Sequence, residues 1–294
     1  MVLSNLPRQY VDDPIDRQTK PYGLFDVIPP TTPPGSHWLA GVEYQPLCGG
    51  GGTTIDFCVT GSAPASKVET GDRTMRGAQP FTVYAEIDCS PQADVWDTQI
   101  ARVTRMLMEN EQFIAEKALW DGRAANLDIV YPHLAANTAV VDTRNAFAVT
   151  LQTAAVQVSG SNPAAPARAL GLLEQAGYQC YTAGMGLIHA PLIAIPSLVN
   201  QGMLYRDGSQ LRTINGSTIV AGAGYQNTGP DGTAAPPNTA WLYFTGQMFI
   251  YRGAIRTFQR EESLDRNVNT LKAIAERTYV MGWDCCHFAV LVSI

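Results

Sequence analysis

Residues 91–121, PQADVWDTQIARVTRMLMENEQFIAEKALWD, constrain the fold more than any other stretch of the chain. Ser90 is a good N-cap, Pro91 suits a first helical position because its missing N–H has no partner there, and Asp94 puts negative charge in the first turn. Trp96, Ile100, Val103, Leu107, Asn110 and Ile114 then recur at alternating steps of four and three, with Met106, Phe113 and Trp120 on a second row. Two such rows predict a helix buried on more than one side. Arg105 and Glu109 supply an i, i+4 pair on the wetter face, and Gly122 is placed to end the helix in a left-handed conformation. At about 1.5 Å per residue the helix is roughly 45 Å long, a strut across an elongated subunit.

A strut needs a sheet to lie on, and the chain has the material for one. Its 294 residues are 46% hydrophobic and 16% charged, a folded protein with enough length for one large or two medium domains. Low charge with Gly 26 and Pro 19 points to many turns and to a surface that is polar without being charged, as subunit contacts often are. A formal charge of −6 opposes a protein whose main task is gripping nucleic acid, although local arginine contacts stay open. No run of about 20 apolar residues exists, and the start MVLSNLPRQYVDDP lacks a basic n-region and an apolar core. The expectation is a chain that neither spans a membrane nor leaves by the Sec route. Cys48, Cys58, Cys89, Cys180, Cys285 and Cys286 show no C-x-x-C and no framework spacing, so they read as reduced, buried thiols. If Cys285 and Cys286 lie in a strand they point to opposite faces, which disfavours a bond between them.

Seven prolines in residues 1–36 describe an extended arm, and its apolar residues predict that it lies along a surface, its own or a neighbour's. Residues 37–79 read as a long hairpin or projecting loop, with WLAGVEY and TTIDFCV as short strands about the glycines at 49–52. FTVYAEIDC alternates Phe81, Val83, Ala85, Ile87 and Cys89 against polar residues, a half-buried strand feeding the helix. Residues 123–160 have weak period. Asn162-Pro163 opens a helix closed by Gly177, GLIHA is a buried strand, and PLIAIPSLVNQGML is a helix kinked or restarted at Pro196. Asn215-Gly216 between two apolar runs predicts a hairpin. Residues 226–238 form a loop long enough to be functional or to sit at a contact. WLYFTGQMFIYRG is a strand or strand pair. The alternation through Leu271, Ala273, Ala275 and Arg277, a turn at Met281-Gly282 and the return DCCHFAVLVSI predict an antiparallel pair at the C-terminus.

Chemistry-bearing motifs are tested and set aside. The glycines at 49–52 followed by Thr53-Thr54 have no Lys and no helix after them, so they do not make a phosphate loop. Gly222 and Gly224 lack the third glycine of a dinucleotide fingerprint. His37, His133, His189 and His287 are scattered, and Cys285 with His287 offers two ligand types where a metal needs more. His189 reads as a satisfied core or sheet-edge histidine. No nucleophile elbow or carboxylate pair is present, so no catalytic, cofactor-binding or metal residue is assigned and no enzyme is expected.

Taken together, PFTVYAEIDCSP at 80–91, EKALWDG at 116–122, IHAPLIAIPSLVNQGMLYRDG at 188–208, INGSTIVAGAGY at 214–225 and LKAIAERTYVMGWDCC at 271–286 resemble the major capsid proteins of tailed bacteriophages, of the Hong Kong 97 type, and of phages infecting actinobacteria in particular. The order of arm, projecting hairpin, strand, very long helix, α/β insertion and returning strands resembles the same family. The resemblance implies an α+β fold with an N-terminal arm at 1–36, an E-loop at 37–80, a P-domain at 81–134 with the spine helix at 91–121, an A-domain at 135–246 and P-domain return strands at 247–294. It implies a structural shell protein that self-assembles into pentamers and hexamers of an icosahedral head around double-stranded DNA, with the 226–238 loop as a candidate contact at the symmetry axes.

It implies further partners: the portal, a separate scaffolding protein because only 90 residues precede the spine, and room for a decoration protein. Contact with packaged DNA would be weak and non-specific, through Arg8, Arg17, Arg102 or Arg105, and the resemblance implies no membrane and no cofactor. The protein would reside in the virion after assembly in the bacterial cytoplasm. Isopeptide cross-linking, known in a few members, would need Lys67 with Asn267 or Asn269 and Glu276, and no motif fixes that geometry. Two other readings are an encapsulin-type compartment shell and an unrelated α+β enzyme. The arm, broken at Pro7, Pro14 and Pro21, does not look like the cargo-receiving helix with which encapsulins usually begin.

Overall fold

The computed structural model describes residues 20–46, 75–89, 96–122, 132–136, 138–143, 148–160, 162–180, 186–258, 264–265 and 270–294. In chain order the first elements are α1 (Leu24–Val27), a 3-10 turn His37–Ala40, β1 (Val42–Tyr44), β2 (Met75–Ala78), β3 (Phe81–Cys89) and the long helix α2 (Trp96–Asp121). Then follow β4 (Val140–Asp142), β5 (Val149–Gln152), β6 (Val156–Gln157), α3 (Pro166–Cys180), β7 (Leu187–Pro191), a 3-10 turn Leu192–Ala194, α4 (Ile195–Asn200), β8 (Leu204–Asp207), β9 (Gln210–Thr213) and β10 (Thr218–Gly222). The last are β11 (Thr239–Thr245), β12 (Met248–Arg252), β13 (Arg256–Thr257), β14 (Leu264–Asp265), β15 (Thr270–Trp283) and β16 (His287–Ser293). The architecture is α+β.

The described strands form three sheets. A small one, β1-β2-β5-β4, pairs the two ends of the 37–79 segment antiparallel, as a projecting hairpin requires. A second is built on β15, whose 14 residues hold β3 along one edge and β12, β13 and β14 along the other. The third has seven strands in the order β6-β16-β11-β7-β10-β9-β8. Period-2 alternation accounts for β3, where Val83 is buried and Tyr84 is 59% exposed. It also accounts for Ala273 and Ala275 on β15, both inside the core. β7, β10 and β11 are buried along their whole length, so their unbroken apolar runs mark interior strands.

The long helix forms where the pattern predicts it, and 26 described residues give it a length of about 39 Å. Ser90 and Pro91 lie outside the described residues. Gly122 adopts φ +74° and its N–H reaches the Ala118 carbonyl at 3.1 Å, the predicted left-handed end. The buried row differs from the predicted one. Gln99, Val103, Leu107, Glu111, Ala115 and Leu119 are buried at strict steps of four, and each such step advances about 40° around a 3.6-residue helix. The contact line therefore winds around the helix instead of running down one side. Val103 and Leu107 sit on it, Ile100 and Ile114 are half-buried, Asn110 is exposed and Phe113 is 40% exposed. One winding ridge, joined near its end by Glu116 and Trp120, replaces the expected pair of apolar rows. It begins against β3 and β15, beside Val83, Ala273 and Ala275, and ends with Trp120 against Tyr225 and Tyr243 of the seven-stranded side.

Two expectations at the C-terminus are corrected. β15 runs straight through Met281-Gly282 to Trp283, and the chain turns at 284–286, with Cys286 at φ +67°. β15 and β16 do not pair: β15 belongs to the sheet with β3, and β16 pairs with β11 and β6. Alternating sequence cannot distinguish a hairpin from a strand that changes sheets, because both give the same period. The second correction concerns the thiols. Cys180 at the end of α3 is disulfide-bonded to Cys286, with Cα atoms 5.9 Å apart across 106 residues of sequence. Packing of α3 on β16 creates that proximity, and spacing along the chain carries no trace of it. The two vicinal cysteines are not bonded to each other.

Two helix bounds are also corrected: α3 runs through Gly177, which is buried within it, to Cys180, and only Leu192–Asn200 of the PLIAIPSLVNQGML stretch is helical, because Pro191 ends β7 and Leu204 opens β8. The remaining local expectations hold. α4 restarts at Pro196 after the 3-10 turn. β9 and β10 pair antiparallel about Asn215-Gly216. A further hairpin joins β8 to β9 about Gly208, where no strand pair is expected from the sequence. From Lys20 onward the arm lies on its own subunit, with Leu24 wholly buried and Phe25 stacked on Tyr279 at 5.6 Å.

The disulfide predicts that Cys180→Ser lowers unfolding stability by about 2–5 kcal/mol in chemical denaturation. The Cys180→Ser/Cys286→Ser double variant should lose no more than the single one, since the two sulfurs form one bond.

Candidate functional site: the junction on the long helix

Two carboxylates sit on the winding ridge of α2, and each joins the helix to distant parts of the chain. Glu116 is wholly buried. Its Oε1 accepts the backbone N–H of Leu24 at 3.0 Å and the Gln112 side-chain amide at 3.0 Å, while Oε2 accepts the backbone N–H of Gly224 at 2.8 Å. One side chain thus fastens the arm and the loop after β10 to the same helical turn. Ala221 N–H adds a direct bond from the end of β10 to the Tyr22 carbonyl at 2.8 Å.

Both attached segments present glycine to the helix. A Cβ on Gly23 would lie 1.8 Å from Gln112 Nε2, and one on Gly224 would lie 2.2 Å from the Phe113 carbonyl oxygen. Backbone approaches the helix this closely only where no side chain intervenes. Burial pushes the Glu116 pKa up, and the Leu24, Gly224 and Gln112 hydrogen bonds, with the charge of Lys20, pull against that rise.

Glu111, one turn earlier, ties α2 to the sheet beneath. Its Oε1 accepts Arg252 at 3.1 Å; its Oε2 accepts Arg277 at 2.7 Å and the Tyr279 hydroxyl at 2.7 Å. The Tyr279 pKa is raised by burial first and by its bond to Glu111 second. Arg277 is only 13% exposed, so the carboxylate and both guanidinium groups depend on one another.

At the helix end Trp120 Nε1 donates to the Thr228 carbonyl at 3.1 Å, Tyr243 donates to the same oxygen at 2.9 Å, and the Thr228 hydroxyl donates to Asp121. These bonds root the 226–238 segment on α2, while residues 231–234 and 236–238 stay exposed. Asn227 and Asn238 shape the segment with left-handed backbone at φ 60° and 59°.

The histidines set aside above have structural partners. His189 Nε2 lies 3.0 Å from the Thr245 hydroxyl and Nδ1 lies 2.9 Å from the Tyr225 hydroxyl, a fully buried and satisfied ring. Burial holds its pKa down to about 3, so it stays neutral. His287 Nδ1 faces the Thr153 carbonyl at 3.0 Å. Among the described residues no group of three or more His, Cys, Asp or Glu side chains could hold a metal. Arg102 and Arg105 lie on the exposed face of α2, Arg105 paired with Glu109 at 3.1 Å. Arg8, Arg17, Lys67, Asn267, Asn269 and the glycines at 49–52 lie outside the described residues.

Apolar periodicity does not mark Glu111 and Glu116 as structural centres, because charged residues fall outside that pattern. The signal was present, since Glu111 continues the four-residue row of Val103 and Leu107.

No family model and no curated protein matches the sequence. Solved structures do match. A chain from the capsid of an empty GTA particle superposes with a TM-score of 0.55 at 12% identity, over 99% of this chain and 97% of that one. A chain of Microbacterium phage Oxtober96 gives 0.52 at 12% identity over 99% and 97%, and one of Mycobacterium phage Adephagia gives 0.52 at 11% over 99% and 96%. A holo-SrpI encapsulin from Synechococcus elongatus overlaps less well, at 0.44 over 76% of this chain. The fold is that of tailed-phage capsid subunits, and it spans essentially the whole chain.

Glu111→Ala, which strands Arg277 and Tyr279 without their acceptor, should lower stability by about 3–5 kcal/mol in urea unfolding. Glu116→Gln, which turns an amide toward one of the two backbone N–H groups, should lower it by about 1–3 kcal/mol. Because the folded-state pKa of Glu116 is raised above its ordinary 4.5, the folded chain takes up a proton before the unfolded chain does. The stability of wild type relative to Glu116→Gln should therefore increase as pH falls through the raised pKa toward 4.5. A difference that shrinks over that window would contradict the assigned burial.

Proposed function

We propose that this chain is the shell-forming major capsid subunit of a tailed bacteriophage, assembling into pentamers and hexamers of an icosahedral head that encloses double-stranded DNA. The observation that carries the reading is the end-to-end overlap with the capsid chain of the empty GTA particle, 99% of one chain on 97% of the other. The match runs the length of both chains, and the role assigned here is a structural one. The encapsulin likeness is too loose to support the compartment reading.

In this reading residues 1–36 are the arm, 37–80 the E-loop, 81–134 with 247–294 the P-domain and 135–246 the A-domain. β16 hands the end of the chain to the seven-stranded sheet. The exposed tip of the 226–238 segment is the candidate axis contact, held out from the helix by the Trp120 and Tyr243 bonds to Thr228. Subunits meet one another through many individually modest contacts, which the closed shell adds cooperatively. The partners are further copies of the chain, a separate scaffolding protein, the portal and a decoration protein where one is used. Arg102 is a candidate for weak contact with packaged DNA, which brings its own counterions, so a net acidic subunit is no obstacle. Assembly would take place in the bacterial cytoplasm and the product would be the virion.

Electron microscopy of the protein co-expressed with its scaffold should show icosahedral shells. Leu107→Asp, which buries an unpaired charge in the core of the strut, should give misfolded subunit and no particles. A wild-type chain that stays a monodisperse monomer with scaffold present would overturn the reading.

A further inference from the structure

Eight buried side-chain polar atoms among the described residues have no hydrogen-bond partner, and four of them gather in one place. They are Arg76 Nε on β2, Thr153 Oγ1 just after β5, Trp283 Nε1 at the end of β15 and His287 Nε2 on β16. Arg76, Thr153 and Trp283 line a single crevice, together with Tyr44, Pro132 and Gln152 among others, where the small sheet meets the end of β15. The gap between them has room for about one water-sized atom. Chance scatter of orphaned groups would not put three of them around one gap, and buried polar groups are seldom left unsatisfied.

The donors of the crevice decide what can fill it. Tyr44 donates its hydroxyl proton to the Trp283 carbonyl at 2.7 Å, and Gln152 donates to the Thr138 carbonyl at 2.8 Å. His287 Nδ1 donates to the Thr153 carbonyl, which leaves a lone pair on Nε2 and a neutral ring. Burial keeps that ring neutral by pushing its pKa down to about 4, and the nearby positive charge of Arg76 acts in the same direction. What remains is a guanidinium N–H, an indole N–H and a hydroxyl that can rotate its proton inward. No carboxylate is among the described residues lining the crevice. The Arg76 residue is half-buried, but its Nε–H is closed off from solvent and faces the gap, and an N–H on a positive group bonds more strongly to an anion than to a neutral acceptor.

We propose that this crevice is a binding site for one small monovalent anion of chloride size, which accepts the Arg76 Nε–H, the Trp283 Nε1–H and the Thr153 hydroxyl. The ion bridges three elements that share no other side-chain bond at this point: β2 at the base of the projecting hairpin, the segment after β5, and the end of β15. It fixes the root of the hairpin to the central strand. The site belongs to the folded subunit whether or not copies assemble, so it stands apart from the shell reading.

The test is thermal unfolding of the purified full chain at constant ionic strength, with sodium gluconate exchanged stepwise for sodium chloride or sodium bromide. The folding equilibrium constant should rise by the factor 1 + [halide]/Kd, raising the melting midpoint. Arg76→Gln should abolish the halide dependence and Thr153→Val should weaken it several-fold. Thr153→Val leaves the midpoint in gluconate nearly unchanged, so it carries the test if Arg76→Gln fails to fold. Crystals grown in bromide should show one anomalous peak touching all three donors. Equal midpoints in chloride and gluconate, or a crevice filled by water or by a side chain in the bromide crystal, would overturn the site.

Discussion

The structure depends on a carboxylate that spends its oxygens on backbone. Glu116 lies at the point where α2, the arm and the loop after β10 converge, and its two oxygens accept one N–H from each of two segments 200 residues apart in sequence. A neutral acceptor in its place would hold one of them, and an apolar residue neither. The cost of withdrawing a negative charge from water is offset in part by three hydrogen bonds and the nearby Lys20, which lets the core hold the group although burial still raises its pKa. Glu111 repeats the device one turn away with side-chain donors. Between them the two residues convert a helix that would only pack into one that also fastens.

The winding of the buried row explains how a single helix serves two sheets. Steps of four rotate the contact line, so the face that meets Val83 and Ala275 near the start has turned toward Tyr225 and Tyr243 by the end. A strict alternation of four and three would have kept one face against one sheet. Met108 and Phe113, 51% and 40% exposed, lie off that line on the isolated subunit.

Much of this was legible in the sequence and some of it could not be. The helix itself, its glycine stop, the alternating strand before it, the Asn215-Gly216 hairpin and the restart at Pro196 rest on local periodicity and turn chemistry, which act over a few residues and are written in order along the chain. The pairing of β15 with β3 rather than β16, and the bond between Cys180 and Cys286, depend on which elements meet in space, and identical alternation fits both outcomes. The two buried glutamates fall between these cases. Their position in the four-residue row was readable, but their burial was not, because a charged residue enters a core only when partners wait there, and the partners at 24, 224, 252 and 277 are remote in sequence.

The turn at 284–286 gives the molecule a mechanical character of its own. β15 is hydrogen-bonded to one sheet, β16 to another, and three residues join them. Cys286 in that turn is bonded to the end of α3, which lies on the seven-stranded sheet. A pull on α3 is therefore delivered through sulfur to the turn and from there lengthwise into β15, the strand to which β3, β12, β13 and β14 are all attached. Strands loaded along their length resist by shearing many hydrogen bonds at once. Load entering at that sulfur is shared by β15 and β16, each held along its length by a neighbouring strand.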